Sequence, residues 1–346
     1  MDPITQGALG GAAAQAIFYR RVSPAITWAG ILGGMAPDLD VFIRSNADPL
    51  LFLVYHRSFT HSLAFIPFGG AAVGLLIWLL LGRRHRLRDL MLAAIAGFAT
   101  HGLLDACTTY GTLLFWPFSH RRISWDFISI IDPIYTAILI AGVIYAAALR
   151  RGRPALLALI LSTAYMGLGA WQHHRALQFQ KDIAIARGHR AVEGRAMPTF
   201  ANLLVWRSVY RSDGRLYVDA LRIGAAGKLY WEGGSLPRLD PAQLNPAPPP
   251  GSLLQQDLET FEWFAEGYTA ILKQQPWELA DLRFSALANG TQPLWGIRFD
   301  TVEPHRHVER LRFPWARGPG FTALGGMIRG TWPEGRPPPK PFEKAE

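Results

Sequence analysis

The chain has 346 residues, of which 50% are hydrophobic and only 18% charged, below the roughly 25% charge of an ordinary soluble domain. Its single cysteine, Cys107, excludes an intrachain disulfide. The formal net charge of +9 fits either nucleic-acid binding or the lysine and arginine bias that orients membrane helices, and the placement of the charges decides between them.

The start, Met1-Asp2-Pro3, has no positive region and no cleavage site of the secretory kind, so membrane insertion is expected from retained segments. Two Gly- and Ala-rich apolar stretches come first, about Ile4 to Tyr19 and Ser23 to Phe42, suited to close helix–helix contact. The run from Ser62 to Gly82 is uncharged and long enough to cross a hydrocarbon core. Leu90 to Leu104, Pro133 to Leu149 and Pro154 to Trp171 follow. Every second connection is short and carries arginine: Arg20 and Arg21; Arg83, Arg84, Arg86 and Arg88; Arg150, Arg151 and Arg153. The positive-inside rule places these in the cytoplasm and argues against direct nucleic-acid binding as the main role. Connections 43–61 and 106–132, and everything after Trp171, then face outward. Six spans are the simplest solution, and four spans with an interfacial N-terminal hairpin the alternative. The expectation is an α-helical multi-span membrane domain over 1–172 at a bacterial inner membrane, followed by an extracytoplasmic soluble α+β domain over 173–346.

In the second half, Leu203 to Tyr210 and Leu216 to Ile223 read as strands around a hairpin turn at Asp213-Gly214, with a short strand at Leu229 to Trp231. A Pro-rich linker, Pro246 to Pro250, precedes apolar residues at helical spacing from Leu254 to Ile271. Leu282 to Leu287 and Leu294 to Phe299 flank a second turn signal, Asn289-Gly290, and the tail from Pro333 reads as disordered.

The chemistry-bearing residues gather in the first half, at the outer ends of the expected spans. Asp38 and Asp40 close the second stretch, and His56 and His61 lead into the third. His101 and Asp105 close the fourth, and Asp126 and Asp132 precede the fifth. Ionisable groups near hydrocarbon are costly unless they pair, face a cavity or bind an ion. His101 and Asp105 lie four apart on a helix and share one face. Asp38 and Asp40 share a side only if their segment is extended. A mixed nitrogen and carboxylate set favours zinc, with manganese or iron as alternatives, over calcium. The metal-ligand candidates are therefore Asp38, Asp40, His56, His61, His101 and Asp105. Asp126 or Asp132 is a general base or an orienting partner, and Arg57, with Arg121 or Arg122, is a grip for an anionic substrate group. Plainer readings stand beside these: a polar helix end for Asp38 and Asp40, interfacial histidines, an interhelical hydrogen-bond pair, and a helix N-cap at Asp132. His120 and His173-His174 read as exposed or interfacial, and His305 and His307 as a solvated hairpin.

Residues 1–150 also resemble the YdjM-type family of inner-membrane proteins assigned as metal-dependent hydrolases, some described as LexA-binding. The resemblance rests on Met1-Asp2-Pro3-Ile4-Thr5, the Gly34-to-Asp40 segment, and His56-Arg57-Ser58-Phe59-Thr60-His61-Ser62. It also rests on His101-Gly102-Leu103-Leu104-Asp105 and the run from Thr108 to Pro133. It implies a multi-span bacterial protein with a metal site formed by these histidines and aspartates. Many members carry a histidine after the Pro-Ile-Thr run; here that position is Gln6, which offers no imidazole. A site at the outer membrane surface points to hydrolysis of an ester or phosphoester in a lipid or lipid-linked substrate. The other class is a non-enzymatic membrane protein, a transporter or an anchoring component, with an ion site.

Overall fold

The computed structural model describes residues 1–190, 193–225, 227–274, 276–314, 317–331 and 340–341. The chain forms two compact units: Met1–Ile43 with Tyr55–Ala170, and Arg44–Val54 with Trp171–Glu346.

The first unit is helical: α1 (Pro3–Ile17), α2 (Pro24–Met35), α4 (Ile66–Leu80), α5 (Leu87–Ala106), α6 (Pro133–Leu149) and the first part of α7 (Arg153–Ala186). The short α3 (Leu51–Tyr55) lies between α2 and α4 in sequence. Among the described residues, three helical segments are long and apolar enough to cross a membrane: Leu63–Leu80, Leu87–Ala106 and Arg153–Ala186. The expected six spans are not supported. α1 and α2 have 15 and 12 residues, or about 22 and 18 Å at 1.5 Å per residue, against a hydrocarbon core of about 30 Å. Each starts at a proline behind a side-chain cap, Asp2 or Ser23, so its N-terminal limit is sharply set. Both pack closely against neighbouring helices, although Trp28 and Leu32 of α2 are exposed. A Cβ on Gly10 would lie 2.4 Å from the Gly30 carbonyl oxygen, and one on Gly97 would lie 2.1 Å from the same atom. Glycine thus lets the backbones of α1, α2 and α5 touch. α4, α6 and α7 also expose large apolar side chains, among them Leu76, Leu80, Ile144, Leu157 and Ile160.

The unit has two chemically different ends. At one, Val22 N–H donates to the Arg150 carbonyl and Gly152 N–H to that of Tyr19, which joins two of the arginine-bearing connections. At the other, Asp2 N–H donates to the Ile130 carbonyl and Leu113 N–H to that of Arg57. The histidine and aspartate motifs lie at this second end.

Among the described residues the second unit contains two antiparallel sheets, ordered β1-β2-β3-β4-β9 and β5-β6-β7-β8. In the first, β2 (Val205–Ser212) and β3 (Arg215–Ile223) meet at Asp213-Gly214, as expected, with both turn residues at positive φ. β1 (Glu193–Pro198) pairs with β2, β4 (Lys228–Pro237) with β3, and β9 (Lys340–Pro341) with β4. The second sheet comprises β5 (Thr269–Gln274), β6 (Trp277–Asp281), β7 (Trp295–Phe299) and β8 (Glu309–Arg312). The expected helix from Leu254 is shorter: α8 (Leu253–Ala265) stops where Glu266 and Gly267 take positive φ, which releases Tyr268 and Ile271 toward β5. Asn289-Gly290 lies in the connection between β6 and β7, which pair antiparallel, but the expected strand at Leu282 to Leu287 is loop, with a single bridge between Ser285 and Pro293. α9 (Arg317–Arg329) is the last helix among the described residues. Apart from Lys340–Pro341, the tail from Pro333 lies outside the described residues.

Candidate metal centre

His101 and Asp105 occupy one face of the last turn and a half of α5, both fully buried. The His101 Nδ1–H donates to the Gly34 carbonyl at 2.6 Å, so its Nε2 presents a lone pair. His61 sits in a single 3-10 turn, Phe59–His61, also buried. Its Nδ1 faces Asp40 Oδ2 at 3.2 Å, and its Nε2 lies 3.0 Å from His101 Nε2. Around these two nitrogens stand Asp38 Oδ1, at 3.5 and 3.4 Å, and Asp105 Oδ2, at 3.2 and 3.6 Å. Asp38, His61, His101 and Asp105 thus each offer a ligand atom within 4.8 Å of the others and could hold a metal ion.

The donor set fits a cation. Two imidazole nitrogens with their outer nitrogens already engaged cannot approach to 3.0 Å comfortably unless a proton or an ion lies between them. Asp105 Oδ2 is buried and accepts no aligned hydrogen bond. The other oxygen, Oδ1, is occupied by the Gln6 amide at 2.9 Å and by the Met1 ammonium group. Gln6 thus orients Asp105 through its amide nitrogen, while its Oε1 is buried with no hydrogen-bond partner among the described residues. Arg57 Nε approaches Asp105 Oδ2 at 3.1 Å, and its Nη1 donates to Thr108 Oγ1.

Asp40 plays a different part from Asp38. Their segment, Ala36–Phe42, is a 3-10 helix, not extended, so residues two apart leave the axis about 120° apart. Asp40 Oδ1 pairs with His56 Nδ1 at 2.7 Å, and Oδ2 accepts from Arg57 N–H at 3.0 Å and Thr60 Oγ–H at 2.7 Å. Asp38, Asp40 and His56 still form a second group with ligand atoms inside 4.8 Å. Asp40 is nevertheless so fully engaged that it is best placed to orient His61, as carboxylates orient metal-binding imidazoles elsewhere. Asp40→Asn should keep the fold and weaken metal binding about 10–100-fold, read by chelator competition; unchanged affinity would show that Asp40 does not position His61.

The remaining candidates lie outside this group. Asp132 caps α6, with Oδ1 accepting from Ile134 and Tyr135 N–H and Oδ2 from Tyr165 at 2.9 Å. Asp126 is buried between Trp125 and Phe127, whose N–H groups bond to the Ala106 and Cys107 carbonyls at the end of α5. Arg122 is buried and donates to the Gly111 carbonyl, whereas Arg121 is exposed. Gly34 and Thr60 carry no signal by residue type, although both fall within the motif segments, and Gln6 directly follows one.

Burial alone would push the His61 imidazolium toward neutrality, but the carboxylates of Asp105, Asp38 and Asp40 outweigh it and raise its pKa to about 10. A metal must displace that proton. Apparent affinity should therefore rise with pH below about 10, by about one decade per pH unit for one proton released. A chelator-competition series between neutral and alkaline pH reads the slope, and a flat profile would exclude His61 as a ligand.

The sequence profile of the YdjM inner membrane protein family matches residues 1–176, and the chain belongs to that family. It is 34% identical over 106 residues to "Inner membrane protein YbcI" of Escherichia coli (strain K12), covering 29% of this chain and 58% of that protein. It is 27% identical over 109 residues to "Uncharacterized protein YfhP" of Bacillus subtilis (strain 168), covering 32% of this chain and 33% of that one. Both matches thus span less than two thirds of those relatives. No solved structure matches the chain.

Proposed function

We propose that this member of the YdjM inner membrane protein family is a membrane-bound, metal-dependent hydrolase. Its substrate is an ester or phosphoester, in a lipid or lipid-linked molecule met at the outer face of the membrane. The observation that carries the proposal is the convergence of His61, His101, Asp38 and Asp105. Five of the six distances among their ligand atoms lie between 3.0 and 3.6 Å. A tetrahedron with zinc bonds of about 2.0–2.1 Å has edges of about 3.3–3.4 Å. That spacing favours zinc over the larger, oxygen-seeking cations, with manganese or iron as the next choices.

A divalent cation held there supplies Lewis-acid polarisation of an ester or phosphoester oxygen and acidifies water. The chain's own residues do the rest. Asp38 is the one ligand that reaches the surface, its side chain 24% exposed where the other three are buried, so substrate approach is from its side. Arg57 balances the Asp105 charge, which leaves Arg121 to meet an anionic group. Asp126 stays a candidate base or orienting partner by its place in the motif run, and Asp132, with both oxygens engaged, serves as the cap of α6. The outer-face placement of the site and of the C-terminal domain rests on the arginine distribution, and two of the arginine-bearing connections do meet at the far end of the unit. A C-terminal reporter active only in the cytoplasm would overturn that orientation.

The test is turnover. Metal-loaded protein in mixed micelles should hydrolyse at least one member of a panel of phospholipids, lipid-linked phosphoesters and carboxyl esters, and His101→Ala should not. A second reading has its own support: four protein ligands at tetrahedral spacing are the pattern of a closed, structural ion site. Loaded protein that turns over nothing in the panel, yet loses thermal stability on chelation, would decide for that non-enzymatic reading.

A further inference from the structure

The second unit carries another set of ligating side chains, contributed by three separate segments. Asp48 lies in the loop before α3, Asp257 on α8, and His307 just before β8. Each offers a ligand atom, and the three atoms lie within 4.8 Å of one another. His307 Nδ1 stands 3.1 and 3.0 Å from the two oxygens of Asp257, which is 5% exposed. Both carboxylates are fixed by backbone donors: Asp257 Oδ2 by Val308 N–H at 2.9 Å, and Asp48 Oδ1 by the N–H groups of Leu50 and Leu51 at 2.9 and 3.0 Å. The free oxygen of Asp48 accepts no hydrogen bond from the described residues. Among the described residues no lysine or arginine forms an ion pair with Asp48 or Asp257, although arginines lie nearby in sequence. Two carboxylates, one of them buried, thus share a single imidazole, and like charges so placed repel unless a cation joins them.

We infer that Asp48, Asp257 and His307 form a second divalent-cation site, independent of the one on α5. The spacing of about 3.0 Å between His307 Nδ1 and the Asp257 oxygens matches adjacent positions around a six-coordinate ion with bonds of about 2.1 Å. One nitrogen with carboxylate oxygens suits manganese or zinc better than calcium. Partial exposure of His307 and Asp48 leaves the remaining positions to water, on the side where His307 also borders a cleft lined by Arg298, Glu303, Arg306 and Glu309. The site would pin the loop before α3 to α8 and the start of β8, three segments far apart in sequence.

The experiment uses the full chain, purified in detergent without a polyhistidine tag. Mn2+ is titrated and followed by loss of the free-ion EPR signal, with zinc content measured in parallel. The wild type should bind two equivalents. His307→Ala and Asp48→Asn should each lose one equivalent, while His305→Ala loses none. His101→Ala should lose the other equivalent and keep this one, so that failure of the α5 site and failure of this one are read separately. Asp48→Asn keeps the backbone-capping oxygen in a partly exposed loop, so it decides the matter if His307→Ala does not fold. Retention of both equivalents in folded Asp48→Asn would overturn the site and leave an ordinary aspartate–histidine pair.

Discussion

Replacing His101 by alanine should reduce metal affinity at the α5 site by more than the about 10–100-fold that loss of an orienting partner costs. His101 is fully buried, and its tautomer is fixed by the Gly34 carbonyl, so no other group can swing in to replace its Nε2. The variant leaves Asp38, Asp105 and His61, of which the two carboxylates suit a hard cation poorly enclosed by so few oxygens. The effect has a stability signature as well. A ligand that binds only the folded state stabilises it by about 4 kcal/mol when present at 1,000 times its Kd. The wild type should therefore melt at a lower temperature after chelation, whereas His101→Ala should melt at the same temperature with and without chelator. Equal metal content and equal chelator response in the two proteins would remove His101 from the site.

The second large effect is expected one residue further along. In an exposed helix interior, glycine to alanine is favourable by about 1 kcal/mol. At Gly102 the sign should reverse, because a Cβ there would lie 2.1 Å from the His61 carbonyl oxygen. The contact is backbone, not the tip of a flexible side chain, so the His61 turn must move and carry its imidazole with it. Overpacking of this kind costs about 1–3 kcal/mol or more. Gly102→Ala should lose both thermal stability and metal affinity. Gly167→Ala is the matched control: it is also helical and has nothing within 4 Å of the added Cβ. If Gly102→Ala proves as stable and as tight-binding as Gly167→Ala, α5 does not pack against the His61 turn as described.

The two glycines also show what a sequence can convey. His101 and Asp105 were legible because four residues of helix fix their common face. His61 was legible through its place in a short motif. The Gly34 carbonyl and the Thr60 hydroxyl were not, because their roles depend on contacts with segments far apart in sequence, and Gln6 stood out only as the place of a missing histidine. The number of spans misled for a related reason. Gly- and Ala-rich apolar stretches suit both a helix facing lipid and a helix buried among others, and composition does not distinguish the two. α1 is largely buried and α2 about half, and their lengths are set by Pro3 and Pro24 and by the breaks at Phe18 and Ala36. In the second unit the Asp213-Gly214 hairpin was readable from two residues. His307 was not, because its partner Asp257 lies 50 positions away.

The excursion of Arg44–Val54 into the second unit has a bearing on how the protein is made. At about 5–20 residues per second, this segment leaves the ribosome roughly 15–60 s before the last of its companions is synthesised. Until those partners emerge, its carboxylate and apolar side chains lack the groups they meet in the complete unit. A truncated gene ending near residue 170 would leave them so permanently, and such a fragment is therefore a poor substitute for the whole chain in any assay of the α5 site.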